Sequence, residues 1–239
     1  LCAMLREAKL PVSFSVVGSS ESIAAAIRQA PALFREKCAG IWLAAGTGVE
    51  TPGGILEYNV RLHPSAYVTV LGAPCPVYWA PCYHTILTDA GESISPERGG
   101  KYGSVLCMYQ KELLPHLPPR LQNYFLYMLT RSADPRYLRY LDYPVDAAAL
   151  AEKGEEKRRL WSAPLLLHAA GIPCESWGFV PVRVECTPDG HVCWSEDAAG
   201  NVHLFARKDP CGVEDTFSTA GAYKREMLEK LQQYLKELR

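Results

Sequence analysis

Three short apolar runs dominate the first third of the chain: Pro11–Val17 (PVSFSVV), Ile41–Gly46 (IWLAAG) and Pro76–Pro81 (PVYWAP). Runs of β-branched and aromatic residues closed off by Gly or Pro read as buried strands. Between the first two, Ile23, Ala26 and Ile27 recur at helical spacing over residues 22–30, and Pro31 opens a further helical turn, ALFREKC. Between the second and third lie a Gly/Thr/Pro loop over 46–54, the segment ILEYNVRLHP, and a helix from about Pro64 to Leu71 with Pro in its first turn. Strand, helix and strand within about 35 residues form the signature of a right-handed βαβ crossover. The succession predicts an α/β chain with a mostly parallel sheet flanked by helices.

The remainder adds different texture. Residues 95–111 and 118–131 read as helices, the second carrying Leu121, Phe125, Leu126 and Leu129 as an apolar stripe. A Tyr/Pro/Asp-rich loop is expected over 134–146. A helix is expected over 157–170, kinked at Pro164 and ended by Gly171. From Trp177 the segment FVPVRVECTPDGHVCWS predicts an antiparallel hairpin turning at Pro188-Asp189-Gly190. A short strand over 201–207 and an amphipathic helix over 222–239, with Met227, Leu228, Leu231 and Leu235 on one face, complete the chain. The expectation is a single α/β domain over 1–239 with a small antiparallel hairpin near the C-terminus.

Composition narrows the function classes. In 239 residues, 25 Lys+Arg face 26 Asp+Glu, a net charge of −1, which lacks the basic footprint of a nucleic-acid binder. The longest stretch without Asp, Glu, Lys or Arg, residues 62–88, contains Pro64, Pro74, Pro76 and Pro81, so it does not make one membrane helix. Nine cysteines at scattered positions, with no C-x-x-C, signal neither a zinc knuckle nor a disulfide framework. A cytoplasmic protein is the expectation. The opening LCAMLREAK has no apolar run that reads as a signal peptide. Starting at Leu1 on what reads as a helix end, the chain is expected to lack N-terminal strands.

Ligands of parallel α/β sheets bind at the carboxyl ends of the strands. The loops there are Gly18–Ser22, Gly46–Asn59 and Trp79–Asp89. Ser19, Ser20 or Ser22 is expected to cap the following helix. In an extended Glu57-Tyr58-Asn59, side chains at 57 and 59 face the same way, joining a carboxylate to an amide in a manner suited to a polyhydroxyl group. A solvated loop pair is the plainer alternative. Cys82 and His84 form a weaker candidate for an activated thiolate. Tyr83 and His84 are candidates for stacking on a nucleoside base. Gln122-Asn123 either projects a polar pair into a binding mouth or caps a packing interface, and His168 reads as a core or helix-end histidine.

Four of these elements occur in a known order. PVSFSVVGSSESIAAAIRQAPALFREKCAGIWLAAG, then EYN, then HPSAYVTVLGAPCPVYWAP resembles the nucleoside hydrolase family, the inosine/uridine-preferring N-ribohydrolases. Gly18-Ser19-Ser20-Glu21-Ser22 stands where the family has a Gly-Pro-Leu-Thr-Asn turn, and Ala44-Ala45-Gly46 where it has Met-Gly-Gly. Glu57-Tyr58-Asn59 stands for Glu-Phe-Asn, and His63-Pro64 for Asp-Pro. The match is good to about residue 88, loose over 177–239 and poor between.

The resemblance implies that Glu57 and Asn59 hold ribose hydroxyls. It implies calcium as cofactor, yet the family's Asp-x-Asp-x-x-x-Asp-Asp stretch is missing from this sequence. Glu21 is the nearest counterpart of a backbone-carbonyl calcium ligand, and Trp161-Ser162 stands where the family has His-Asp, leaving Ser162 as a weak oxygen donor. Thr51 replaces a further Asn. The implied function is hydrolysis of the N-glycosidic bond of a ribonucleoside or related N-riboside in purine or pyrimidine salvage, with this chain alone inactive. The implied partner is a small nucleoside rather than nucleic acid or membrane, with room for a homo-oligomer. The alternative is a non-catalytic sugar- or nucleoside-binding module that has lost its calcium site. Glu57→Gln is expected to weaken ligand binding and leave folding stability almost unchanged.

Overall fold

The computed structural model describes residues 1–48, 56–82, 85–88, 91–94, 101–130, 133, 135–208 and 221–237. In chain order its helices are α1 (Cys2–Glu7), α2 (Glu21–Gln29), α3 (Pro31–Lys37), α4 (Tyr58–Leu62), α5 (Pro64–Leu71), α6 (Pro119–Leu129), α7 (Tyr137–Tyr140), α8 (Ala147–Gly154), α9 (Ala163–Ala169) and α10 (Ala222–Glu237). The strands are β1 (Val12–Val16), β2 (Cys38–Ala44), β3 (Val77–Ala80), β4 (Thr85–Thr88), β5 (Gly91–Ile94), β6 (Leu106–Tyr109), β7 (Lys157–Leu160), β8 (Trp177–Cys186), β9 (Val192–Glu196) and β10 (Val202–Arg207). They fall into two compact units: Leu1–Val105 with Trp161–Glu214, and Leu106–Leu160 with Asp215–Arg239.

The first unit is built on a six-stranded sheet in the order β1-β2-β3-β10-β8-β9. β1, β2, β3 and β10 pair in parallel, and β8 joins β10, and β9 joins β8, antiparallel. The fold is therefore α/β with a mostly parallel sheet flanked by helices. The hairpin read from the Pro-Asp-Gly turn forms the far side of this sheet. Gly190 adopts φ +95°, which favours glycine, and a Cβ there would press on Pro64 and Val60. β4 and β5 form a separate antiparallel pair.

Alternation along the strands separates two faces. Ile41 and Leu43 of β2 lie in register with Val77 and Trp79 of β3, and these with Val202 and Leu204 of β10. All six are buried, with Ile23, Ala24 and Ile27 of α2 and Ala66, Tyr67 and Val70 of α5 in the same cluster. The Trp79 indole N–H donates to the Ala45 carbonyl at 2.8 Å, so this large core side chain leaves no buried donor unsatisfied. The residues between these, Trp42 and Tyr78 among them, face the other side, where α9 packs on β1, β2 and β3.

In the second unit, β6 pairs antiparallel with β7. Here two helix readings are corrected. Residues 106–109 are strand rather than the end of a helix, followed by a 3-10 turn at Gln110–Glu112, and residues 157–160 are strand rather than helix. Pairing between distant segments decides both, overriding local propensity. Pro164 then sits in the first turn of α9, where a missing N–H is harmless, and produces no kink. A four-residue helix, α7, lies within the expected loop over 134–146. Gln122 donates to the Pro115 and Leu117 carbonyls, and Asn123 to those of Leu141 and Tyr143, so this polar pair closes packing inside the unit. On α10 the buried face contains Tyr223, Lys224, Met227 and Leu231, and Lys224 reaches Glu112 at 2.9 Å. No helix among the described residues is long and apolar enough to cross a membrane.

Ile41 is fully buried between both helical and strand neighbours. Ile41→Ala is expected to cost about 2–5 kcal/mol, read as a lower midpoint in urea unfolding with an unchanged slope.

Candidate functional site

At the carboxyl ends of β1, β2 and β3 the first unit encloses a cavity of about 510 Å³. Val17 follows β1, Ala44 closes β2, and Cys82 follows β3. Glu57, Tyr58 and Asn59 enter from the start of α4, and Trp161 and Ser162 from the start of α9. The volume lies in the range of small-molecule sites, and the place is where an open α/β sheet receives ligands.

Glu57 sets the geometry. The residue is only 4% exposed. It is the N-cap of α4 rather than part of an extended segment, and its Oε2 accepts from the backbone N–H of Gly46 (2.9 Å), Asn59 (3.0 Å) and Val60 (3.3 Å). Three donors converge on one oxygen, leaving Oε1 outside that cluster. Gly46 holds φ +80°, and a Cβ there would strike the Tyr67 hydroxyl, so the tight approach of this backbone requires glycine. Asn59 lines the same cavity, and its amide donates to the Ala44 carbonyl at 3.3 Å.

Cys82 hangs from the same frame, its N–H donating to the Gly46 carbonyl at 3.0 Å. Burial, and then the nearby Glu57 charge, push its thiol far above the ordinary range, against a smaller opposing effect of its bond with Asn59. That direction disfavours the thiolate an activated nucleophile needs. Ser104, fully buried, was not marked by any sequence pattern. Its hydroxyl lies 2.8 Å from the Pro81 carbonyl and 2.9 Å from that of Trp161, tying the segment after β3 to the Trp161 wall.

The structure thus brings Glu57, Asn59 and Ser162 to one cavity. Glu21 is placed elsewhere: it is an exposed first residue of α2, outside the cavity's described lining. Ser20 is the N-cap residue of α2 without a side-chain capping bond, while Ser19 Oγ accepts from the Glu21 N–H at 3.3 Å. Tyr83, His84 and Thr51 lie outside the described residues.

Calcium asks for six to eight oxygen ligands, several of them carboxylate. The described lining offers one carboxylate, with one oxygen taken by three N–H groups, one amide, the Tyr58 and Ser162 hydroxyls and the Cys82 thiol. No group of three or more His, Cys, Asp or Glu suited to a metal occurs among the described residues. Among the described residues these donors do not by themselves make up a calcium site.

Among solved structures, the chain is similar to an inosine-uridine preferring nucleoside hydrolase from Bacillus anthracis, with 12% identity and a TM-score of 0.44 over 96% of this chain and 64% of that one. It is also similar to a purine-preferring ribonucleoside hydrolase from Gardnerella vaginalis, with 12% identity and a TM-score of 0.48 over 98% of this chain and 65% of that one. The chain spans less than two thirds of the length of either. No protein-family model and no curated protein matches it.

Because Glu57 caps α4, replacing it bears on folding, contrary to the expectation of an almost neutral change. Glu57→Ala leaves three N–H groups without their acceptor and is expected to lower stability by about 1–3 kcal/mol. Glu57→Gln retains one acceptor oxygen and is expected to lower it by about half as much, both read from denaturant unfolding without ligand.

Proposed function

We propose that the Glu57/Asn59 cavity binds the ribose of a ribonucleoside or a related N-riboside, and that the whole protein hydrolyses the N-glycosidic bond. The observation that carries the reading is the meeting of Glu57 and Asn59 in one cavity at the carboxyl ends of parallel strands. The ordered resemblance of the strand-end segments in the sequence supports it. Glu57 Oε1 is the oxygen outside the capping cluster and accepts from a sugar hydroxyl, while the Asn59 side chain both donates and accepts. Leaving-group departure generates an oxocarbenium-like sugar, which a fixed carboxylate beside the ring favours electrostatically. A small nucleoside is then the partner, and salvage in the cytoplasm the setting.

A second reading is favoured by one observation: the single lining carboxylate gives one of its oxygens to capping α4, and no second carboxylate flanks it in the described lining. On that reading the cavity binds a riboside without turning it over. Ribose release from inosine and uridine separates the two, and titration calorimetry with and without a chelator shows whether binding needs a metal.

For either reading, Asn59→Ala is expected to weaken inosine binding by about tenfold, near 1.4 kcal/mol, with the fold intact by circular dichroism. Unchanged affinity in that variant, or no heat with inosine, uridine or ribose in the unaltered protein, rejects the assignment.

A further inference from the structure

On the sheet face away from α2 and α5, Trp42, Tyr78 and His203 stand at one register level on β2, β3 and β10. Their rings stack side by side, 4.7 Å between the Trp42 and Tyr78 centroids and 5.0 Å between Tyr78 and His203. α9 closes on this ladder through His168, whose ring lies 4.6 Å from Tyr78 and 4.6 Å from Phe179 of β8. The Trp42 indole N–H donates to His168 Nδ1 at 3.0 Å. An indole only donates, so Nδ1 carries a lone pair and the proton of the neutral ring sits on Nε2. An imidazolium has no lone pair to offer, and protonation removes this bond. At seven residues, α9 depends on packing for its stability. Its N-cap is Ser162, part of the cavity wall.

We infer that His168 is a positioning residue for the cavity: in its neutral form it fastens α9 to the sheet through Trp42 and so sets the Ser162 side of the wall, and protonation releases it. This rests on the cavity being the ligand site proposed above. The groups facing the imidazole are Trp42 from β2, Tyr78 from β3, Phe179 from β8 and His203 from β10, while β1 (VSFSV) carries no ionisable side chain. Arg183 of β8 pairs with Asp197, and Arg207 of β10 donates to the Gly103 and Val105 carbonyls. The one carboxylate on these elements, Glu185, lies about 20 Å along β8 from Phe179. Among the described residues, no carboxylate is placed against the imidazole. Burial, and then the proximity of His203, hold His168 below its ordinary value of 6.5. The folded state therefore binds this proton more weakly than the unfolded chain does. The attachment of α9 is at full strength above about pH 6.5 and weakens as the pH falls below it.

The test is hydrogen exchange on the full chain without ligand, comparing protection factors for residues 161–169 and for α2 across about pH 5 to 8. Protection over 161–169 is expected to fall by up to about tenfold per pH unit on the acid side, the slope of one proton, while α2 stays level. His168→Gln retains a carbonyl acceptor that does not titrate, so its protection should match the unaltered protein at high pH and stay flat. His203→Gln removes the neighbouring imidazole that holds the His168 proton off and should keep the fall, moved to higher pH. A flat profile in the unaltered protein overturns the inference. So does a fall that survives in His168→Gln, or one abolished in His203→Gln. If His168→Gln does not fold, the unaltered protein and His203→Gln still decide. Inosine affinity should follow the same profile in the unaltered protein. Absence of inosine binding at every pH defeats the ribose assignment alone, because exchange needs no ligand.

Discussion

One carboxylate oxygen joins the end of β2 to the first turn of α4. Glu57 Oε2 takes the N–H of Gly46, just beyond β2, and those of Asn59 and Val60 in the first turn of α4. Hydrogen bonds to a charged acceptor are stronger than neutral ones, and three N–H groups sharing this one oxygen would be left without it. With this oxygen in place, Asn59 reaches the Ala44 carbonyl, Cys82 hangs from Gly46, and the cavity acquires its shape. The same residue that faces a ligand also holds the frame. Variants at 57 therefore need a stability measurement beside any affinity measurement.

The two sheet faces divide the labour. One is filled by aliphatic side chains and Trp79 under α2 and α5, and gives rigidity. The other is a row of flat rings under α9, with Gly40 leaving room for them: a Cβ at 40 would press on both Trp42 and Tyr78 at 3.1 Å. α9 closes this face with Leu165 and Leu167 fully buried and His168 bonded to Trp42, so apolar packing and one polar contact hold it together.

Much of this frame was legible in the sequence. β1, β2 and β3 announce themselves as apolar runs bounded by Gly and Pro, and the β8–β9 turn by Pro188-Asp189-Gly190. β6 and β7 were not legible, because Lys157-Arg158-Arg159-Leu160 has no alternating apolar pattern and becomes a strand only by pairing with residues 106–109. α4 is too short to show periodicity. Glutamate is not among the favoured N-cap residues, so the capping role of Glu57 left no local signature, although its kinship with Asn59 did. Ser104 was invisible for a different reason: its value lies in two carbonyls brought together only by the tertiary fold.

The strand order has a consequence for how the protein is made. β3 is covered on its outer edge by β10, which is encoded after residues 81–201. At ribosomal rates of about 5–20 residues per second, β3 leaves the ribosome on the order of ten seconds before the strand that will protect it. Through that interval a nascent Val-Tyr-Trp-Ala edge offers its N–H and C=O groups to any strand nearby. The parallel sheet is thus most vulnerable to mispairing while still tethered, and an assisting chaperone has its best opportunity before Val202–Arg207 emerges.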